Sequence, residues 1–455
     1  MTRFTRWTGA GMGLVMLALS ATTATADVET DGLWYFDWFK VQDAHDAGIT
    51  GEGITIAMID SPVNLDIPTL ADADIRVQDS ACVDADGTPY PGTSTDYAVA
   101  HHGTAVLSLL VGSGQGFDGQ TGVKGLAPDA TVLTYSAAVG STTEESDALD
   151  GACVGPDGET ITASHAIGLD MHAAMDTGAD IISVSLGVPR HDVLENAIAR
   201  AIREGVVIIA SVDNTDVTVS ATSPSDLNGV LSVNRINPDG TAPEIYNTDV
   251  VAPGLDLLHQ GVNDDWKAQA RAGGTSFATP IVAGNVALAM QKYPDATPNQ
   301  LLQSVIRNTG DVPHELSYDP PYGYGVVITD VFLAADPTVY PDVNPLVSNY
   351  ALMPPGVDLI WEGAVADLDI TEDPAPRPIY TPQPTSPTPS AEVAPTTDPT
   401  PDATNPEVQG ADETTMPGWL VPGIIAGIAL LVFIAVVIVV IARKARSQGG
   451  THGTE

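Results

Sequence analysis

The sequence predicts an α/β fold: a doubly wound, mainly parallel sheet with helices on both faces, plus a single C-terminal transmembrane helix. Three observations predict it. Short, almost continuously apolar runs end in a polar residue or a glycine, as strands buried on both faces do. Helix-length stretches alternate with these runs between about residues 33 and 335. One much longer uncharged run stands alone near the C-terminus.

In chain order, residues 1–26 read as a secretory signal, with Arg3 and Arg6 before the apolar GMGLVMLAL and an A-x-A site at Ala24-Thr25-Ala26. Asp27 is then the expected first residue of an exported domain spanning 27–340. Its expected strands are ITIAMID (54–60), TVLTYSAAV (131–139), DIISVSLG (180–187) and VVIIASVDN (206–214). The expected helices are HGTAVLSLLVG, SHAIGLDMHAAMDTG, DVLENAIARAIREG and SFATPIVAGNVALAMQKY (276–293). Residues 341–418 form an extension and a Pro/Thr-rich acidic linker. VNPLVSNYALM and GVDLIWEGAV have enough apolar side chains to strap the domain, whereas 11 of the 35 prolines crowd between Pro374 and Pro406. Residues 419–442 carry no charge and are long enough to cross a bilayer. Arg443, Lys444 and Arg446 follow at once, which assigns the tail, 443–455, to the cytoplasm and the domain to the outside.

Charge excludes one class of partner. Between residues 27 and 419 there are 57 acidic and 12 basic residues, and such a surface does not bind a nucleic-acid backbone. Cys82 and Cys153 are the only cysteines. In an exported chain one disulfide is the default, with two separate thiols as the alternative. Closing so long a loop stabilises by roughly 4 kcal/mol in a chain-entropy treatment.

Ligand sites in open α/β sheets lie at the carboxyl ends of the strands, which draws attention to Asp60, Gly187 and Asn214. Asp60 ends a buried strand, where a carboxylate is costly without a partner. His102, in HHGTAV, and Ser276, in GGTSFATP, are each placed at the opening of a helix. At the latter, free N–H groups and the helix dipole favour an oxyanion. Alone, Asp60 reads equally well as a turn former, and His102 or Ser276 as a cap. Together, Asp…His…Ser in a parallel α/β chain is one of the few orders in which a nucleophile, its base and an orienting carboxylate occur.

These segments resemble the subtilases, the subtilisin-family serine endopeptidases, through ITIAMIDSPV, HHGTAVLSLL and GGTSFATPIVAG, with SVSLG and VVIIASVDN in support. The resemblance implies Asp60 as orienter, His102 as base, Ser276 as nucleophile and Asn214 as oxyanion donor. It implies that Ser185, Leu186 and Gly187 line the substrate cleft, that peptides or proteins are the substrates, and that no cofactor is needed for the chemistry. Structural calcium is common in the family, but no acidic stretch has a recognisable ligand spacing. Three positions depart from the family pattern: Ser61-Pro62 after the aspartate, His101 before the base, and Asp213 before Asn214. Signal, domain, linker, apolar helix and basic tail together resemble the mycosins, membrane-anchored subtilases associated with type VII secretion. A secretion membrane complex is therefore an expected partner. A catalytically secondary scaffold and a general surface protease are the competing functions.

Overall fold

The computed structural model describes residues 31–347, apart from 84–87, 138–152, 156–157, 215–223, 246, 312–313 and 315. The expected signal segment, most of the extension, the linker and the apolar run 419–442 lie outside the described residues. Among the described residues no helix is long and apolar enough to cross a membrane.

The described chain opens with α1 (Trp34–Trp38) and α2 (Val41–Asp46), followed by β1 (Thr55–Asp60), β2 (Ile75–Val77) and α3 (Tyr97–Val111). A small hairpin, β3 (Ser113–Gln115) and β4 (Thr121–Lys124), precedes β5 (Thr131–Ser136). Then come α4 (Ala163–Asp176), β6 (Ile181–Val184), α5 (Asp192–Glu204), β7 (Val207–Ser211), β8 (Leu231–Ile236) and β9 (Val250–Pro253). A second hairpin, β10 (Leu257–Val262) and β11 (Asp265–Ala272), leads into α6 (Thr275–Lys292), α7 (Pro298–Arg307) and α8 (Thr329–Ala334).

The main sheet has seven strands in the order β2-β5-β1-β6-β7-β8-β9, and every pairing in it is parallel. The chain starts the sheet at β1, builds β2 and β5 to one side, then crosses to β6 on the other. That reversal opens a crevice at the carboxyl end of β1, where Asp60 sits. Alternate side chains feed two cores. Ile56, Met58, Val132, Ile181 and Ile209 pack in the core that holds the apolar side chains of α3 and α6. Ala57, Ile59, Leu133, Ile182 and Ile208 share the other core with residues of α4 and α5. Each fully buried aliphatic chain contributes roughly 1.5–3 kcal/mol, so the doubly wound arrangement follows from strands that are apolar on both faces.

Cys82 and Cys153 are joined in a disulfide, 71 residues apart in sequence. They cluster with Ile161 and Ala166, the latter on α4. Beside them the Oδ1 of the buried Asp170, also on α4, accepts the Ala81 N–H at 2.9 Å. At the other end of the domain, residues 336–347 lie along α7. Asp342 accepts from Thr297 and Asn299, Gln303 donates to the Val343 carbonyl, and Leu346 and Val347 are buried.

Several boundaries differ from the sequence expectation. Helix α3 begins at Tyr97, five residues before His102, because Asp96 caps it by accepting the Ala98 N–H at 3.1 Å. Strands β5, β6 and β7 end at Ser136, Val184 and Ser211. Residues 185–187 and Asn214 therefore lie in the loops just beyond the strand ends, where the backbone is released from the ladder. Strands β8 and β9 and the β10–β11 hairpin had no counterpart in the expected elements.

Candidate active site

Three elements converge at the carboxyl end of β1. Asp60, fully buried, ends the strand, and its Oδ1 lies 2.7 Å from His102 Nδ1 in α3. The same oxygen accepts the Ser61 N–H at 2.7 Å, while Oδ2 is buried without a partner among the described residues. Burial alone would lower the His102 pKa, but the Asp60 charge and the hydrogen bond to it prevail, and the imidazole is held above its usual value. The His102 side chain remains 25% exposed, so its outer edge is accessible from the cleft.

The register of α3 against β1 is set by residues that motif reading overlooked. Ser61 Oγ accepts the Gly103 N–H at 2.9 Å, and Thr104 Oγ1 accepts the Asn64 N–H at 2.8 Å. A Cβ on Gly103 would lie 2.4 Å from the Ser61 carbonyl, so a glycine directly after the base is what lets α3 approach the strand end. Ser61-Pro62 is thus more than a departure from the family pattern, because Ser61 holds Asp60 with its N–H and the His102 helix with its hydroxyl. The signal was available in the sequence as a hydroxyl directly after the aspartate.

Ser276 is the second residue of α6, half-buried, where a helix leaves N–H groups without intrahelical partners. Its Oγ donates to the Ser185 carbonyl at 3.1 Å, and the Ser185 hydroxyl donates back to the Ser276 carbonyl at 2.9 Å. Pro280 explains the second bond. It occupies the position whose N–H would have bonded the Ser276 carbonyl, and the freed acceptor takes the Ser185 hydroxyl instead. The Ser276 hydroxyl faces Ser185, and contacts between such a hydroxyl and its base are often made only once substrate binds.

Asn214 is exposed above the start of α6. Its Oδ1 accepts the Thr275 N–H at 2.9 Å and the Thr275 hydroxyl at 3.2 Å. With the carbonyl half of the amide anchored, Nδ2 is left as a donor. A Cβ on Gly274 would come within 3.0 Å of Asn214 Oδ1, so the glycine makes room for this amide. Ser185 is buried, Leu186 half-buried and Gly187 exposed, which places this segment as one wall beside Ser276. The structure therefore brings Asp60, His102, Ser276, Asn214 and Ser185 to one locus. Thr275 is a supporting residue missed from sequence, and Ser61, named there only as a departure from the family pattern, is another support. His101 is not solvated freely: its Nδ1 lies 2.9 Å from the Tyr97 carbonyl and its ring stacks on Tyr97.

Such an arrangement can activate a hydroxyl and stabilise an oxyanion. Among the described residues no group of three or more His, Cys, Asp or Glu is placed to hold a metal ion.

Comparison with known proteins agrees with the geometry. Residues 51–325 match the subtilase family, Peptidase S8. The chain is 27% identical over 281 residues to the thermostable alkaline protease of Halalkalibacterium halodurans, covering 60% of this chain and 66% of that protein. It is 27% identical over 299 residues to subtilisin BL of Lederbergia lenta, covering 65% of this chain and 96% of that one. Among solved structures, MycP1 from the ESX-1 type VII secretion system superposes with a TM-score of 0.54 at 21% identity, over 70% of this chain and 90% of that one. At that identity the likeness speaks for the fold.

Proposed function

Because the chain belongs to the subtilase family of serine endopeptidases, we propose that it hydrolyses peptide bonds with Ser276 as nucleophile, His102 as general base and Asp60 as orienter. The observation that carries the assignment is the 2.7 Å contact between His102 Nδ1 and the buried Asp60. It fixes the proton on Nδ1 and leaves Nε2 as the base. Ser276 Oγ turns from Ser185, attacks the scissile carbonyl and gives its proton to Nε2. The carbonyl oxygen becomes an oxyanion between Asn214 Nδ2 and the Ser276 N–H. Collapse expels the amine, which takes the proton from His102, and water repeats the sequence on the acyl-enzyme. The acyl side of the substrate lies along Ser185, Leu186 and Gly187, adding a strand beside the end of β6. Subtilase chemistry needs no cofactor.

We further propose that the domain works outside the cell, held by residues 419–442, and that it is associated with a type VII secretion membrane complex. The support is the order of segments in the sequence together with a fold shared with MycP1, itself from such a system.

The test of the chemistry is fluorophosphonate labelling of the purified protein. Ser276→Ala should abolish labelling, and peptide hydrolysis should fall by roughly 10⁴–10⁶-fold. A mutant that labels like wild type removes Ser276 from the role. Complementing a deletion strain with Ser276→Ala tests the partner assignment, since full rescue of secretion favours a scaffold.

A further inference from the structure

A set of rings beside the catalytic residues has no part in the chemistry above. His101, the neighbour of the base, stacks on Tyr97 with centroids 4.8 Å apart and planes 17° off parallel. Trp266 of β11 meets Tyr97 edge-on at 5.4 Å and is fixed by donating its Nε1–H to the Thr95 carbonyl at 2.8 Å. The Tyr97 hydroxyl donates to the Gly261 carbonyl at 3.3 Å, which ties α3 to the same hairpin. From β10, His259 lies 6.4 Å from the ring of Phe277, the residue after the nucleophile, and is close enough to His101 for the two to interact electrostatically. The rings thus run from the residue before His102 to the residue after Ser276.

Their position relative to the reacting bond follows from what is on the other flank. Ser185 is locked to Ser276 by two reciprocal hydrogen bonds, which puts the 185–187 wall, and the acyl half of a substrate, on that side. A polypeptide whose carbonyl sits at Ser276 continues away from the 185–187 wall, and Phe277, next to the nucleophile, begins a chain of ring contacts and neighbours through His259, His101, Tyr97 and Trp266. The charges at the platform suit a cation. Asp264 adds to burial in raising the Tyr97 phenol pKa, so a carboxylate stands beside the ring, and the exposed Asp96 caps the same helix. The hairpin's own cations are engaged elsewhere. Lys267 lies over Phe117 and 3.7 Å from Asp118, and Arg271 pairs with Asp256 at 3.0 Å. Burial, with His101 adding to it against the pull of the Gln260 carbonyl, keeps His259 below the usual histidine pKa. Indole and phenol faces rimmed by carboxylates attract an ammonium or guanidinium group.

We infer that the platform of Tyr97, His101 and Trp266 is a specificity site for the leaving-group side of the scissile bond, and that it selects a lysine or arginine side chain there. The inference rests on Ser276 and His102 being the reacting pair. Protonation of His259, which is held below the usual histidine value, would place like charge beside the bound cation, so the preference should fade at low pH.

The experiment uses the full chain in detergent and quenched peptides that share one acyl half but carry Lys, Gln or Glu in the first two leaving-group positions. At pH 8 the expected kcat/KM ratio of Lys over Glu peptides is about fivefold or more. It should narrow toward pH 5.5. Equal rates, or a preference for Glu, overturn the inference. Trp266→Leu should bring the ratio below about twofold, and an unchanged ratio removes the platform as the reader. His259→Gln should keep a Lys preference that no longer narrows so steeply at low pH. Affinity of leaving-group peptides for the Ser276→Ala protein provides a readout without turnover. Equal affinities for Lys and Glu peptides overturn the platform whatever the enzyme does. Unequal affinities with a wild type that labels with no probe support the platform and overturn only the catalytic assignment.

Discussion

Asp60 and Asp170 are both fully buried, and in each the Oδ2 atom has no hydrogen-bond partner among the described residues. Their remaining oxygens separate them. Asp60 Oδ1 meets the Ser61 N–H and the His102 ring, whereas Asp170 Oδ1 receives only the Ala81 N–H. The consequences are opposite. Asp60 passes its charge to a neighbour and holds His102 above the usual histidine pKa. Among the described residues Asp170 has no cation to answer it, and burial pushes its own pKa up to about 8. A buried carboxylate is thus put to chemical use by the partner beside it and the strand end that presents it, since burial is common to both. At Asp60 the partner is a ring that can exchange a proton with the cleft. At Asp170 it is a backbone amide next to the disulfide, which can only be held in place.

The strongest way to break this comparison is to neutralise Asp60. Asp60→Asn keeps the shape but offers an amide that can donate to His102 Nδ1, turning the imidazole to the wrong tautomer. The expected loss is about 10⁴-fold in kcat. Removing the carboxylate also leaves burial as the dominant influence on His102, so the acidic limb of the kcat/KM profile should move to lower pH. A profile recorded from pH 5 to 9 on both proteins checks this, and an unmoved limb would mean that Asp60 does not set the His102 pKa.

Smaller effects sharpen the distinction between the reacting groups and their supports. Asn214→Ala removes one oxyanion donor and should lower kcat by roughly 10²–10³-fold with little change in KM. If KM rises while kcat holds, Asn214 binds substrate and does not stabilise the oxyanion. Ser61→Ala retains the N–H that meets Asp60 but deletes the acceptor of the Gly103 N–H. A lost hydrogen bond of about 1–1.5 kcal/mol corresponds to roughly a tenfold fall in kcat if α3 drifts. Steady-state kinetics with thermal melting separates drift of His102 from simple loss of stability.

Much of this arrangement was legible in the sequence. Strands β1, β5, β6 and β7 are apolar on both faces and announce themselves, and the residues just past them include most of the site. Strand β8 did not, because Asn234 and Arg235 interrupt LSVNRI; Asn234 is nonetheless fully buried, its amide donating to the carbonyls of Pro243 and Pro321. Half of that compensation comes from Pro321, 87 residues along the chain, and has no local signature. Likewise, the bond that orients Asn214 comes from Thr275, 61 residues away, and periodicity carries no information about it. The Ser185–Ser276 exchange is intermediate. Pro280 advertises a free carbonyl four residues earlier, but only the fold shows which hydroxyl fills it. The start of α3 was hidden because attention to the HGT motif obscured Asp96, an ordinary cap upstream.

The mildest perturbation, as far as activity is concerned, is Asp170→Asn. The amide oxygen can still accept the Ala81 N–H, and the side chain matches the neutral carboxylic acid in shape, so activity at pH 7 should stay within about twofold. Stability should respond differently. An unfolded aspartate titrates near 3.9, and Asp170 in the folded chain near 8, so between these values the folded state binds the extra proton. Folding stability from this group is therefore full below the unfolded value and falls as pH rises toward 8, by at most about 1.4 kcal/mol per pH unit. Asparagine does not titrate, and the mutant should lose this slope. The other acidic groups contribute equally to both proteins, so the difference between their melting temperatures isolates Asp170. That difference should grow in favour of Asp170→Asn from pH 5 to pH 8 and then level off. Parallel curves would show that Asp170 ionises with its ordinary affinity for protons, and the contrast with Asp60 would then lie in geometry alone.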